Sequence, residues 1–67
     1  EEDRTLSSHQ GEEFIIVHSG KLLVLYGHDK HVLEAGDTVY YNSIVPHYVG
    51  AEGSEPCTIY ALFYHPA

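Results

Sequence analysis

The segment that decides the fold reads HQGEEFIIVHSG over residues 9–20. Its central part is β-branched and aromatic, and it ends in a Ser-Gly pair that is typical of a turn. Side chains two or four residues apart project to the same face of a strand. Unless a bulge at Gly11 shifts the count, one face carries Ser7, His9, Glu13, Ile15 and Val17. The segment therefore predicts a strand whose first half offers polar side chains and whose second half enters a core.

Further β-rich runs follow along the chain, separated by Gly, Asn, Asp and Pro turn signals. They occupy residues 21–26, 31–33, 38–41, 47–49 and 57–64. No window has the i, i+3, i+4, i+7 apolar spacing of an amphipathic helix. Short strands with regular turns predict an all-β sandwich or barrel, and we expect residues 13–18 and 21–26 to pair as a hairpin.

The length of 67 residues allows one small domain, residues 1–67, with a polar lead-in over 1–10. A domain of this size buries about 60% of its unfolded surface and is marginally stable alone. Several runs are apolar on both faces, and exposed apolar faces usually mark interfaces. We therefore expect a homodimer, with two sheets of one sandwich as the alternative. The start at Glu1, without an initiator Met, indicates a fragment of a longer protein or a trimmed chain.

The charge balance is strongly acidic, with 3 basic and 10 acidic residues and a formal net charge of -7. This argues against contact with nucleic-acid phosphates, which need a Lys/Arg footprint, and against docking on anionic membranes. No apolar run approaches the ~18 residues of a membrane span.

The single cysteine, Cys57, excludes an intrachain disulfide. A reducing, cytoplasmic setting is consistent with this cysteine usage and is our expectation.

His9, Glu13 and His47 are candidate metal ligands from separate parts of the chain. Two imidazoles and one carboxylate that converge from different strands form a divalent-metal site with open positions. Such a set suits Fe(II), Mn, Zn or Ni without discriminating among them. The alternative is a hydrogen-bonded polar cluster inside the barrel, because 6 His in 67 residues make chance pairs common.

Residues 7–20 resemble the first motif of the cupin family, whose pattern is Gly, His-x-His, three or four residues, Glu, six residues, Gly. Glu13 and Gly20 have the six-residue gap, and His9 precedes Glu13 by a gap of three residues. The position of the family's first His falls on Ser7, and there this chain departs from the pattern.

Residues 36–51 resemble the second cupin motif. The interval from Gly36 to His47 matches the family's eleven positions, since 47 − 36 = 11. The motif's Pro, Gly and closing Asn are replaced by Asn42, Ile44 and Ala51. Fifteen residues, 21–35, separate the two motifs, as is typical of compact cupins, and the resemblance extends over residues 7–64.

The resemblance implies a compact or truncated cupin fold, which is a jelly-roll barrel or double-stranded β-helix. It implies metal ligation by His9, Glu13 and His47, with water in place of the missing first His. Among cupins the chain is most similar to the C-terminal sensor domains of helix-turn-helix transcription regulators. We therefore expect a sensing or binding module for an unknown small molecule or metal ion, without nucleic-acid contact by this segment.

Two other functions stay open from the sequence. A small metal-dependent enzyme, of the dioxygenase or isomerase class, would use the ion as a Lewis acid or to bind O₂. A metal-free storage or structural cupin would not need the histidines. The missing first His and the lack of an evident acid-base pair favour the sensing module, and we assign no catalytic residue.

Tyrosines supply the remaining candidate contacts to a ligand. We expect Tyr40, Tyr48 and Tyr60 to line a pocket together with Ser7. The remaining tyrosines are expected on an outer face, and they are Tyr26, Tyr41 and Tyr64.

Overall fold

A computed structural model describes Leu6 and residues 8–65 of the chain, so the predicted role of Ser7 lies outside the described residues. The described residues form six strands and no helix, which confirms the all-β prediction. The strands are β1 (Glu12–Ser19), β2 (Lys21–Tyr26), β3 (Asp29–Glu34), β4 (Thr38–Asn42), β5 (His47–Ala51) and β6 (Thr58–Tyr64).

The six strands form two antiparallel three-stranded sheets. The first sheet has the order β4-β1-β6, and the second has the order β3-β2-β5. Each central strand is therefore paired on both sides, whereas β3, β4, β5 and β6 are edge strands of the described structure. This arrangement is a small, truncated jelly-roll of the predicted kind.

The predicted hairpin between the first two strands is wrong, because β1 and β2 belong to different sheets. Gly20 alone separates them, and its φ of +80° lets the chain turn the corner from one sheet into the other. A Cβ at Gly20 would collide with the carbonyl oxygen of Pro56. The true hairpin joins β2 to β3 through the two-residue loop Gly27-His28.

The core lies between the two sheets and takes side chains from both. Its buried members are Ile15, Val17, Leu22, Val24, Leu33 and Tyr41. Removing each aliphatic side chain from water stabilises the fold by about 1.5–3 kcal/mol. Ile15 and Val17 thus face inward, as the alternation in β1 predicts, and Glu13 on the same face is also buried.

The opposite side of the first sheet is an apolar surface that the described residues leave open. The antiparallel register sets Phe14 beside Tyr40 and Leu62, and Ile16 beside Tyr60. Tyr40, Tyr60, Leu62 and Tyr64 are each more than 60% exposed. We call this surface the outer face, and its apolar members are Phe14, Ile16, Tyr40, Tyr60, Leu62 and Tyr64.

Candidate metal centre

Three predicted ligands meet at one end of the sandwich. Glu13 lies near the start of β1 in the first sheet, and His47 begins β5 in the second sheet. His9 comes from the segment that precedes β1. Each residue offers one ligand atom, and these three atoms all lie within 4.8 Å of one another. Glu13 and His47 are buried and His9 is exposed, so the cluster is open to solvent on the His9 side.

His9 is held in place by backbone hydrogen bonds to the connection between β4 and β5. The amide of His9 donates to the carbonyl of Ser43 at 3.0 Å, and the amide of Ser43 donates to the carbonyl of Gly11 at 2.9 Å. Gly11 has a φ of +119°, and a Cβ there would lie 2.6 Å from the Tyr64 carbonyl oxygen. The glycine therefore permits the close approach that brings His9 to the cluster.

His47 is oriented by a carbonyl on its own chain. Its Nδ1 lies 2.8 Å from the carbonyl oxygen of Val45, which can only accept a hydrogen bond. The Nδ1 proton must therefore point to Val45, because a neutral imidazole has one N–H and one lone pair. The Nε2 atom then faces the Glu13 carboxylate, 3.3 Å from Oε1.

The Glu13 carboxylate is fixed by two hydroxyl donors. Tyr41 donates to Oε1 at 2.6 Å, and Ser43 donates to the same oxygen at 3.2 Å. Ser43 is fully buried, with 0% of its surface exposed. No buried side-chain nitrogen or oxygen among the described residues lacks a hydrogen-bond partner. The carboxylate thus keeps one orientation, in which Oε1 points at His47.

The contact between His47 and Glu13 needs a proton or a metal ion between the two facing atoms. The Nε2 lone pair and the Oε1 lone pairs face each other at 3.3 Å, and two acceptors do not attract. A proton on Nε2 would make the pair an ion pair, and a divalent metal would make both atoms ligands. One carboxylate and two imidazoles suit Fe(II), Mn, Ni or Zn, so the donor set fits a metal of this group.

Tyr41 is a donor to the site that the sequence interpretation missed. Burial and the hydrogen bond to Glu13 raise the pKa of Tyr41 well above its ordinary value of 10.0. The phenol is therefore protonated at neutral pH and donates to the carboxylate. Its ring also lies 5.1 Å from the His47 ring, between centroids. The prediction that Tyr41 lies on an outer face is wrong.

The three tyrosines predicted to line a pocket point away from the cluster. Tyr40 is 63% exposed on the outer face, where it donates a hydrogen bond to Glu12. Tyr60 is 61% exposed on the same face. Tyr48 lies over Gly50 on the outer side of the second sheet. These tyrosines therefore do not line the His9/Glu13/His47 cluster, because the turns between strands reset the alternation, and their contact with a ligand stays a prediction.

The surface of the described residues also has concavities outside the cluster. One of about 270 Å³ adjoins the segment that carries His9 and is lined by Gln10, Gly11, Glu12, Asn42, Ile44 and Tyr64. Another of about 630 Å³ lies at the opposite end of the sandwich, beside Gly20, Lys21 and Glu34. Within the described part of the chain, the His9/Glu13/His47 group is the cluster of metal-type donors, and it lies at the end away from the larger concavity.

Fold and site together define a small double-sheet β domain with a His/Glu/His cluster of the kind that binds divalent metals. The chain belongs to the cupin family: the family model described as "Cupin domain" matches residues 1–63. No curated protein and no solved structure matches the chain. Among the described residues no helix has the length and apolar character needed to cross a membrane.

Proposed function

We propose that this cupin domain is a sensing module that binds one divalent metal ion through His9, Glu13 and His47. The observation that carries the proposal is the convergence of one ligand atom from each of these residues within 4.8 Å of the others, with His47 Nε2 and Glu13 Oε1 3.3 Å apart. When bound, such an ion supplies Lewis acidity and open positions for a small oxygen or nitrogen ligand.

The protein holds these ligands ready before an ion arrives. Val45 fixes the His47 tautomer, and Tyr41 and Ser43 fix the Glu13 carboxylate. His9 is the exposed member of the cluster, so an ion would enter from the side of the cluster on which His9 lies. Because these side chains are already held in place, binding an ion costs less side-chain conformational entropy.

A binding role is favoured over catalysis by the groups around Glu13. A general acid works best when its pKa lies near the operating pH. Tyr41, the phenol in contact with Glu13, has its pKa raised by burial and by that carboxylate. It is therefore a poor proton donor at neutral pH and a good fixed hydrogen-bond donor. A metal-dependent dioxygenase or isomerase remains the alternative, and metal-dependent O₂ uptake would favour it.

We also propose that two copies associate through the outer face. Six apolar side chains offer about 100 Å² each, or roughly 1,200 Å² in a dimer, which reaches the lower limit of specific interfaces. Among the strand residues of this face, Glu12 alone carries a carboxylate, and it accepts a hydrogen bond from Tyr40. Glu12 precedes the ligand Glu13 directly, so the face and the metal centre share β1.

We infer that the domain regulates a larger cytoplasmic protein, such as a helix-turn-helix transcription regulator. The net charge of -7 supports a division of labour, because an acidic module would not itself contact phosphates. A signal from the metal centre would then pass through the dimer to the DNA-binding segment. This assignment rests on the sequence resemblance and on the charge.

The deciding experiment is metal analysis of purified, untagged protein after reconstitution with Fe(II), Mn, Ni or Zn and extensive dialysis. We expect about one equivalent per chain, and none in a variant carrying His9→Ala and His47→Ala. A matched control carries His28→Ala and His31→Ala, two exposed histidines outside the cluster, and retains the metal. Wild-type protein without metal under all four conditions would overturn the proposal.

A further inference from the structure

His65 lies beside the metal centre but outside the three-residue cluster. It directly follows β6 and is exposed. Its ring centroid is 6.4 Å from that of His9, with the ring planes inclined by 38°. Its Nδ1 would lie 3.3 Å from a Cβ at Gly11, so the absence of a side chain at Gly11 leaves room for this ring.

The distances from the His9 ring to the His47 and His65 rings each suit two imidazoles that share one ion. Imidazoles that share an ion, with metal–nitrogen bonds of about 2.0 to 2.1 Å, have ring centres about 4.5 to 6.5 Å apart. The His9 and His47 rings are 5.4 Å apart, and the His9 and His65 rings are 6.4 Å apart. Exposed side chains reorient within nanoseconds, so rotation of the exposed His65 side chain is the movement that would bring it to an ion held beside His9.

We propose that His65 is a fourth protein ligand, which joins His9, Glu13 and His47 when the ion binds. This inference rests on the proposed metal-binding function. A cluster of three ligands leaves positions open on its exposed side, where His9 lies, and His65 is the histidine next to His9. A neutral imidazole adds a fourth donor without adding charge to a site that already holds one carboxylate.

Ligation by His65 would link the residue after β6 to the metal centre, beside the existing pairing of Tyr64 with Glu12. Phe63 and Tyr64, the last apolar residues of β6, are 58% and 64% exposed. Leu62 and Tyr64 belong to the outer face, so an ion that recruits His65 would order the edge of that face. Metal occupancy would thereby reach the surface through which we propose that two copies associate.

The test is Zn²⁺ binding by competition with a chromophoric chelator, using His65→Ala and His65→Gln. Both variants are expected to bind Zn²⁺ at least about tenfold more weakly, because loss of even an outer-shell partner weakens metal binding about 10–100-fold. The matched control is His28→Ala, an exposed histidine in the β2–β3 loop, and its affinity should equal that of wild type. Far-ultraviolet circular dichroism reports whether each variant is folded.

Proton–nitrogen correlation spectra of the imidazole rings provide a readout that needs no variant. In wild-type protein Zn²⁺ should shift the ring nitrogens of His9, His47 and His65 together, in one-to-one stoichiometry. Shifts of His9 and His47 without His65, together with unchanged affinity in both His65 variants, would overturn this inference and leave the proposed function standing. Absence of Zn²⁺ binding by wild type would overturn both.

Discussion

Glu13 Oε1 and His47 Nε2 lie 3.3 Å apart and connect the two sheets, since Glu13 belongs to β1 and His47 to β5. Both residues are buried, at 6% and 5% exposure. Removing one member of a buried pair of this kind leaves the polar group of the other without a compensating partner. The contact therefore lies at the centre of the candidate metal site, and we expect it to contribute to the stability of this end of the sandwich.

The substitution Glu13→Gln should separate these two roles. A Gln amide can accept the hydrogen bond from Tyr41 through its oxygen and donate to His47 Nε2 through its nitrogen. The metal-free variant should therefore unfold in urea within about 1 kcal/mol of wild type, whereas Zn²⁺ affinity should fall at least about a hundredfold. Calorimetric titration and urea unfolding measure the two effects. Retained affinity would show that the carboxylate is not a ligand.

The contrasting variant is His47→Ala in the absence of metal. It leaves the Glu13 carboxylate buried beside a cavity, and breaking such a pair costs about 3–5 kcal/mol. For a domain of 67 residues this is a large fraction of the total free energy of unfolding. If His47→Ala and Glu13→Gln had equal unfolding free energies, the pair would not be stabilising this end of the fold.

Metal binding should raise the thermal stability of the domain. A ligand at a hundredfold excess over its Kd stabilises the folded state by about 2.7 kcal/mol, or roughly 10–20 °C in Tm for a small domain. The gain should shrink on acidification, because histidine ligands bind metal only when neutral. Thermal melts with Zn²⁺ and with a chelator measure it. His28→Ala should behave as wild type, and a Tm independent of metal would contradict the assignment.

The alternation within a single strand could be predicted from the sequence, but alternation across turns could not. In β1 the inward positions Glu13, Ile15 and Val17 follow from a period of two, and all three are buried. Each turn between strands breaks the alternation of inward and outward positions. The sequence alone therefore does not show which of the adjacent residues Tyr40 and Tyr41 faces the core. Only pairing with β1 shows that Tyr41 faces Glu13 across the sheet.

Long-range contacts explain the other differences between expectation and structure. The corner at Gly20 depends on packing against Pro56, which lies 36 residues further along the chain, since 56 − 20 = 36. His9, Glu13 and His47 were identified because they match the spacing of known motifs. Ser43 and His65 lie outside the ligand positions of those motifs. Folding brings Ser43 within hydrogen-bonding distance of Glu13 and brings His65 beside His9, and neither contact follows from sequence spacing.

Tyr41→Phe tests whether the phenol holds the carboxylate in place. Loss of this buried hydrogen bond should lower the free energy of unfolding by about 1–3 kcal/mol and weaken Zn²⁺ binding about 10–100-fold. Because burial and Glu13 raise the pKa of Tyr41, its stabilising contribution is present below pH 10.0 and is lost as the pH rises toward the folded-state pKa. Urea unfolding at neutral and high pH should therefore show the difference from wild type shrinking.

A spectroscopic titration distinguishes Tyr41 from the outer face. The absorbance of ionised tyrosine should contain a late transition in wild type that Tyr41→Phe removes. Tyr40 is the matched control, since its hydrogen bond to Glu12 also raises its pKa, although its side chain is exposed. Tyr40→Phe should leave Zn²⁺ affinity unchanged. Equal effects of both substitutions on Zn²⁺ affinity would show that neither phenol has a specific role at the metal centre.

Association through the outer face predicts a sharp contrast between two glutamate substitutions. Leu62 is 68% exposed on the outer face, whereas Val32 is 46% exposed on the other sheet. Leu62→Glu would bury a carboxylate at a contact between copies, and burying an unpaired charge costs several kcal/mol. Light scattering after size-exclusion chromatography should give a dimer for wild type and Val32→Glu and a monomer for Leu62→Glu. A wild-type monomer would contradict association, and a dimer that tolerates Leu62→Glu but not Val32→Glu would place the interface on the other sheet.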